Sequence, residues 1–488
     1  MSRRRPAAPL LVVAIATSTA CFADDAELAG TESAGGTATS GATGADPTSA
    51  SDATTTSTGV TGDPTTSSST SGEATTTDGE TETETGEPPL FAPELYPTDR
   101  THSPITPYVA ASIAAIAEAA PRRDDVFSKI GASSTETLNF MGCFADNATI
   151  ELAGRDHLWA AIETFRAEVD GTTSFDRQSL CATKGWSAVT AISGDPSPLQ
   201  LEIDTAEPRF AVVMYGTNDI QLGSAFNFGG AMLTLVETMT TQGVVPLLTT
   251  IQPRDDDPEA DAEVPLYNAI IRAIAQAEQI PLIDFHRELM FLSDHGLGGD
   301  GIHRSVYAPG GIPSTCVLDT SGLEYGANIR NLLSLEALDR ARVVVGGVDE
   351  LDAPQLQLLG AGLPDDPYGV AALPFGDRRD TAVDGVALID SYPGCDADQD
   401  ESGNEVYYRL DVAESETVRA IVIDRGDVDI DLHLVDASAT GAGCIARADK
   451  SLTAELGPGT YYFILDTFVS GGNEAAGDYL FVIERAGL

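Results

Sequence analysis

Positive charge is scarce in this sequence. Its 488 residues carry 27 Lys and Arg against 75 Asp and Glu, for a formal net charge of −48. A surface this acidic repels phosphate backbones and anionic headgroups, so nucleic acid is not an expected partner. Cysteine is sparse as well: there are six, none in a C-x-x-C pair, which leaves zinc-ribbon and thioredoxin chemistry without support. No His-Glu-x-x-His occurs, so a zinc peptidase is not indicated. No Gly-x-Ser-x-Gly occurs either, so a lipase-type nucleophile elbow is not supported, and the lack of a long apolar lid segment argues against an interfacial lipase.

What is present begins with a leader. In "MSRRRPAAPLLVVAIATSTAC" the basic Arg3–Arg5 precede an apolar run, Leu10–Ile15, and small residues before Cys21. This pattern reads as a secretory signal over 1–21, too short to stay as a membrane span. Ser18-Thr19-Ala20-Cys21 resembles a bacterial lipobox, with Ser18 where leucine is usual. The resemblance implies cleavage before Cys21, lipidation of Cys21, and membrane contact through that anchor alone. The expected location is the outer membrane or cell surface, otherwise the extracellular space. Residues 22–90 are rich in Thr, Ser, Gly, Asp and Glu with no Lys or Arg, and are expected to form a disordered tether because they cannot bury enough apolar surface to offset chain entropy.

Residues 91–345 alternate between strand and helix patterns. Apolar strand candidates lie at 126–130, 209–215, 244–250 and 280–285, with helical periods at 231–241 and 265–279. Strands this apolar, separated by helices, predict a parallel sheet covered on both faces, the α/β three-layer arrangement. Ligands in such sheets sit at the carboxyl ends of the strands. Residues 346–387 are rich in Gly, Pro and Asp and read as a connector. From 388 to 488 the period switches to two, in short runs separated by turn residues, which predicts an all-β sandwich.

Export favours disulfides. Cys395 with Cys444 is the favoured pair because both fall in the C-terminal module; Cys143 with Cys181 is the weaker choice, and Cys316 is left to replace either partner or stay free.

Three stretches at predicted strand ends carry groups suited to acyl transfer. "GAS" ends in Ser133, "YGTND" contains Asn218, and "GDGIHRS" contains Asp300 and His303. A serine hydroxyl needs a base to take its proton, and an imidazole needs a carboxylate to fix its tautomer. Asp300 and His303, three residues apart, can sit side by side. A developing oxyanion needs preorganised donors, which the Asn218 amide and the backbone N–H groups of the Ser133 turn can offer.

Taken in order, these residues resemble the SGNH, or GDSL-like, hydrolase family over about half of the chain. The resemblance implies that Ser133 is the nucleophile, Asn218 the oxyanion donor, Asp300 the orienting acid and His303 the base, with no cofactor. Ala132 stands where that family has Asp, and Ala188 stands where an oxyanion glycine is expected. The implied activity is hydrolysis of carboxylic esters on a small molecule, a lipid or a polysaccharide. The competing reading is a non-catalytic surface adhesin on a degenerate hydrolase scaffold.

Rivals to these residues are Ser134 as nucleophile and His295 as base. Asp99 and His102 repeat the Asp-x-x-His spacing in what reads as a solvated loop, while His157, His286 and His433 read as surface or packing residues. The last hundred residues resemble the bacterial pre-peptidase C-terminal domain, through "NEVYYRLDV", "DVDIDLHLV", "GPGTYYFILDTF" and "GDYLFVIE". Asp427, Asp429 and Asp431 are expected on one strand face, where calcium is conceivable; separately, 396–405 begins like a calcium loop but lacks Gly at its sixth position and Glu at the twelfth, and no metal is assigned.

Overall fold

The computed structural model describes residues 93–147, 149–347, 351–396 and 399–487. The leader, Cys21 and the tether lie outside the described residues. No helix among the described residues is long and apolar enough to cross a membrane.

The first domain is built on four parallel strands: β1 (Arg123–Gly131), β2 (Pro208–Met214), β3 (Val245–Thr249) and β4 (Leu282–Ile283), adjacent in that order. Every residue of β2 and β3 is buried, as expected of strands covered on both faces. The cover includes α1 (Pro107–Ala119), α3 (Ala225–Thr241), α4 (Val264–Ala277) and α5 (Gly326–Val345), with a short α2 (Ser133–Glu136) directly after β1. Local chemistry starts these helices. Thr106 accepts from Val109 N ahead of Pro107 in α1, and Ser224 accepts from Asn227 N, which starts α3 six residues before the apolar period suggests.

On the outer side of β1, Cys181–Thr183 adds a single parallel bridge: Gly131 N donates to Cys181 O at 3.1 Å and Thr183 N to Gly131 O at 3.2 Å. A later segment therefore flanks β1 on one side and β2 on the other. Chain order reverses at β1/β2, and in open α/β sheets the crevice at the carboxyl ends of such a pair receives ligands.

The second domain is the all-β sandwich. One sheet has the order β11 (Ser451–Leu456), β8 (Glu416–Asp424), β13 (Asp478–Arg485), β6 (Phe375–Asp380). The other runs β10 (Cys444–Ala448), β9 (Ile430–Val435), β12 (Gly459–Thr467), β7 (Glu405–Val412), β5 (Tyr368–Gly369). Two features differ from the sequence reading. The segment read as a connector supplies β5 and β6. Of the three aspartates placed on one strand face, only Asp431 lies in a strand, where it is buried and bonded to Arg447 at 2.7 Å.

The two domains share a core. Along β8 and β13, Ala420, Val422, Phe481 and Ile483 enter the sandwich interior, while Ile421, Ile423, Leu480 and Val482 join the apolar cluster of the α/β domain. This is the period-two alternation of a strand with a hydrophobic layer on each face. Arginines fringe the junction: Arg378 bonds Glu237, Glu278 and Asp478, Arg419 bridges Glu263 and Glu484, and Arg425 bonds Glu237 and Asp478.

Cys395 and Cys444 form a disulfide, with Cα atoms 5.3 Å apart. The second bridge is Cys143–Cys316, not Cys143–Cys181. A parallel bridge between Glu151 and Val317, with Glu151 N donating to Cys316 O, brings the Cys316 loop to Cys143. The bridge to Gly131 instead fixes Cys181 beside β1, where its buried free thiol lies 3.9 Å from the Tyr215 hydroxyl. Two disulfides fit an oxidising, extracytoplasmic setting.

Candidate active site

β1 ends on a glycine for a steric reason. A β-carbon at Gly131 would lie 2.4 Å from Thr135 Oγ1 and 2.7 Å from the Met214 carbonyl. The chain then turns through Ala132 into α2, whose first residue is Ser133. Helix α2 is a single turn over Ser133–Glu136, since Thr137 is extended and Met141 has φ 63°. The Ala132 carbonyl closes that turn by accepting from Thr135 N and Glu136 N, at 2.8 and 2.9 Å. Ser133 Oγ is thereby held 2.9 Å from His303 Nε2.

The other imidazole nitrogen meets a carboxylate. His303 Nδ1 lies 2.7 Å from Asp300 Oδ2, and Asp300 Oδ1 accepts from His303 N at 3.0 Å and Ile302 N at 3.2 Å. This network assigns the proton to Nδ1 and leaves the Nε2 lone pair facing Ser133. Burial pushes the Asp300 pKa up, but the hydrogen bonds from His303 and Ile302 outweigh it and hold the carboxyl below its ordinary range. The pair is open to water: the His303 and Asp300 side chains are 44% and 53% exposed.

Asn218 follows β2 across the crevice. Its Nδ2 donates to the Trp186 carbonyl at 2.8 Å, which uses one N–H of the amide and fixes its plane. Gly216, at φ 124°, makes the turn, and its N–H donates to Asp219 Oδ2 at 2.9 Å. Ser133, Trp186, Gly216 and Asn218 line a small hollow together. Ala188, raised by the sequence as an oxyanion donor, gives its N–H to Asp219 Oδ1 at 2.9 Å. Burial raises the Asp219 pKa to about 6 against the pull of these N–H groups.

A second, larger cavity of about 230 Å³ opens beside Ser133 and His303, with Phe140, Val306, Ala327 and Arg330 among its walls. Two arginines there were not singled out by the sequence reading. Arg304 Nη2 donates to the Ser134 carbonyl at 2.7 Å; Arg330 donates to the same carbonyl and to Thr135 Oγ1, with its guanidinium 3.8 Å from the Phe140 ring centre. Neither has an ion pair among the described residues, and burial lowers the pKa of both. The only sequence signal was the position of Arg304 directly after His303.

The rivals separate. Ser134 is buried and serves the turn through its carbonyl. His295 pairs with Asp255 at 2.9 Å, a carboxylate supplied from forty residues away in the chain. Asp99 and His102 do not form the solvated pair their spacing suggested: Asp99 meets Arg100, while His102 Nε2 turns inward, 3.0 Å from the Leu333 carbonyl, and burial lowers its pKa to about 4. His157 is exposed and His433 fully buried, and burial lowers the pKa of His286.

Residues 162–306 match the GDSL-like lipase/acylhydrolase family, a span that includes Asn218, Asp300 and His303 and begins after Ser133. Among solved structures, a GDSL-like lipase from Bacteroides thetaiotaomicron is 14% identical over 48% of this chain and 99% of its own, with a TM-score of 0.30. An acetylxylan esterase from Geobacillus stearothermophilus is 12% identical over 48% of this chain and 98% of its own, with a TM-score of 0.29. The pre-peptidase C-terminal domain of a Bacillus anthracis collagenase is 13% identical over 24% of this chain and 90% of its own, with a TM-score of 0.16. No curated protein matches the chain.

Proposed function

We propose that this chain, whose residues 162–306 match the GDSL-like lipase/acylhydrolase family, is a serine esterase that removes short acyl groups from alcohols, with acetylated polysaccharide as its substrate class. The observation that carries the reading is the unbroken hydrogen-bond path from Ser133 Oγ through the His303 ring to Asp300. His303 Nε2 takes the Ser133 proton as Oγ adds to the ester carbonyl carbon. The resulting oxyanion is held by the second N–H of Asn218 and by the Ser133 backbone N–H. Collapse breaks the carbonyl–alkoxy bond, and His303 returns the proton to the departing alcohol. Water, deprotonated by His303, then hydrolyses the acyl-serine to a free acid. Asp300 stays ionised and stabilises the imidazolium in both halves.

The cavity at Ser133, about 230 Å³, supports a short acyl group rather than a long chain. Lipidation at Cys21 would present this site to polymer outside the cell. A fluorophosphonate probe tests the catalytic assignment: it should label the folded protein at Ser133 and fail on Ser133→Ala. An absence of labelling in folded protein supports the non-catalytic scaffold instead. A panel of chromogenic esters of increasing acyl length tests the substrate class.

A further inference from the structure

On the outer face of the second sandwich sheet, three buried side chains converge without the partners that burial demands. His433 lies on β9 and Asp466 on β12, and the register sets Asp466 opposite Asp431, two residues from His433 on the same face. Glu401 reaches over them from the loop that follows the Cys395–Cys444 disulfide. All three have zero exposure, and one ligand atom from each lies within 4.8 Å of the others. Neither ring nitrogen of His433 has a hydrogen-bond partner, nor does either oxygen of Glu401, nor Oδ1 of Asp466.

Orphaned polar atoms of this kind are costly to bury, because each has given up its water without gaining a partner. The neighbours only partly relieve them. Arg447 Nη2 lies 3.2 Å from Glu401 Oε1 but is bonded to Asp431 at 2.7 Å, and the Tyr392 hydroxyl donates to the other oxygen of Asp466 at 2.5 Å. Tyr392 also stacks flat on the His433 ring, with centroids 3.5 Å apart, and so fixes its plane. The His433 Nε2 to Glu401 Oε1 separation is 3.7 Å, too long for a hydrogen bond and suited to two ligands of one ion.

We propose that Glu401, His433 and Asp466 bind a divalent transition-metal ion of the zinc class. Calcium and magnesium take all-oxygen shells, whereas one imidazole nitrogen with two carboxylates suits zinc. The ion would satisfy the orphaned atoms and pin the loop carrying Glu401 to β9 and β12. The site shares no residue with the catalytic set, so its role is structural.

The full chain, purified without chelator, should carry zinc equimolar with protein by elemental analysis. Stripping with dipicolinate should lower the melting temperature by several degrees, and zinc chloride should restore it. Glu401→Gln and His433→Gln should each abolish retained zinc and the zinc-dependent rise, while the surface carboxylates, left unchanged, are a control for loose binding. Hydrolysis of a soluble ester should be unchanged in Glu401→Gln. Three results would overturn the assignment: a wild-type chain that retains no zinc and melts identically with and without it, a site that takes calcium in place of zinc, or a metal-free Glu401→Gln chain more stable than wild type, which would mean a buried proton already satisfies the cluster.

Discussion

Ile423 of the sandwich occupies the space that a side chain on Gly229 of α3 would need: a β-carbon there would lie 2.3 Å from Ile423 Cδ1. Gly376 of β6 meets Ala273 of α4 with equal closeness, 2.2 Å from a would-be β-carbon to the Ala273 methyl. The junction is close-packed, and its apolar residues belong to the core of the α/β domain. Gly229→Val should therefore destabilise the whole chain by about 1–3 kcal/mol, the cost of overpacking. A chain ending at residue 347 should be poorly soluble or melt far lower than the full protein. Scanning calorimetry reads both; an unchanged melting temperature for the shortened chain would disprove the shared core.

Asn218→Ala should lower kcat by roughly 10²–10³, the usual loss for one oxyanion donor. Asp300→Asn should be at least as severe, because the amide favours the wrong imidazole tautomer. Ser134→Ala and His295→Ala should leave turnover near wild type. Steady-state kinetics on a chromogenic acetate compares all four, and a near-normal Asn218→Ala would remove the amide from the mechanism.

Arg330 acts on Ser133 through the turn. Replacing it with lysine removes the fork that holds the Ser134 carbonyl and the Thr135 hydroxyl together and loses the stacking on Phe140. Arg330→Lys should cost about 10-fold in kcat with little change in KM, since the acyl cavity remains. A rise in KM with kcat unchanged would instead make Arg330 a substrate contact.

Asp219 should leave a mark on stability. Its folded pKa is raised to about 6 by burial, whereas the unfolded carboxyl titrates near about 4. Between these values the folded chain holds a proton that the unfolded chain has released, so this group adds stability as pH falls through about 6 and takes it away as pH rises. Relative to Asp219→Asn, the wild type should gain on the order of 2 kcal/mol between about pH 7.5 and about pH 4.5. Denaturant melts of both proteins measure the difference; a constant gap would show that Asp219 does not titrate this way.

The strands of the α/β domain were legible because a strand buried on both faces must be apolar throughout, as β2 and β3 are. Ser133, Asn218, Asp300 and His303 could be picked out in order as candidates; the structure brings Ser133, His303 and Asp300 into hydrogen-bond distance and sets Asn218 on a hollow shared with Ser133. Strand β6 was not legible: "FGDRRD" is mostly charged, and its Arg378 serves the junction rather than an interior. The Cys143–Cys316 pair depends on two loops meeting 173 residues apart, which spacing alone does not encode. Arg304 and Arg330 escaped notice because arginine is ordinarily a surface residue, and only the fold shows the carbonyl that both hold.

The openness of His303 and Asp300 bears on what the site can tell apart. In the proposed reaction the alcohol leaves toward the water that bounds the exposed faces of His303 and Asp300, so few walls inspect it. The acyl half enters the cavity walled by Phe140, Val306 and Ala327 instead. Such an arrangement is a generalist toward the alcohol and a specialist toward the acid: acetates of unlike sugars should be cleaved at comparable rates, while each added acyl carbon beyond the cavity should lower kcat/KM sharply.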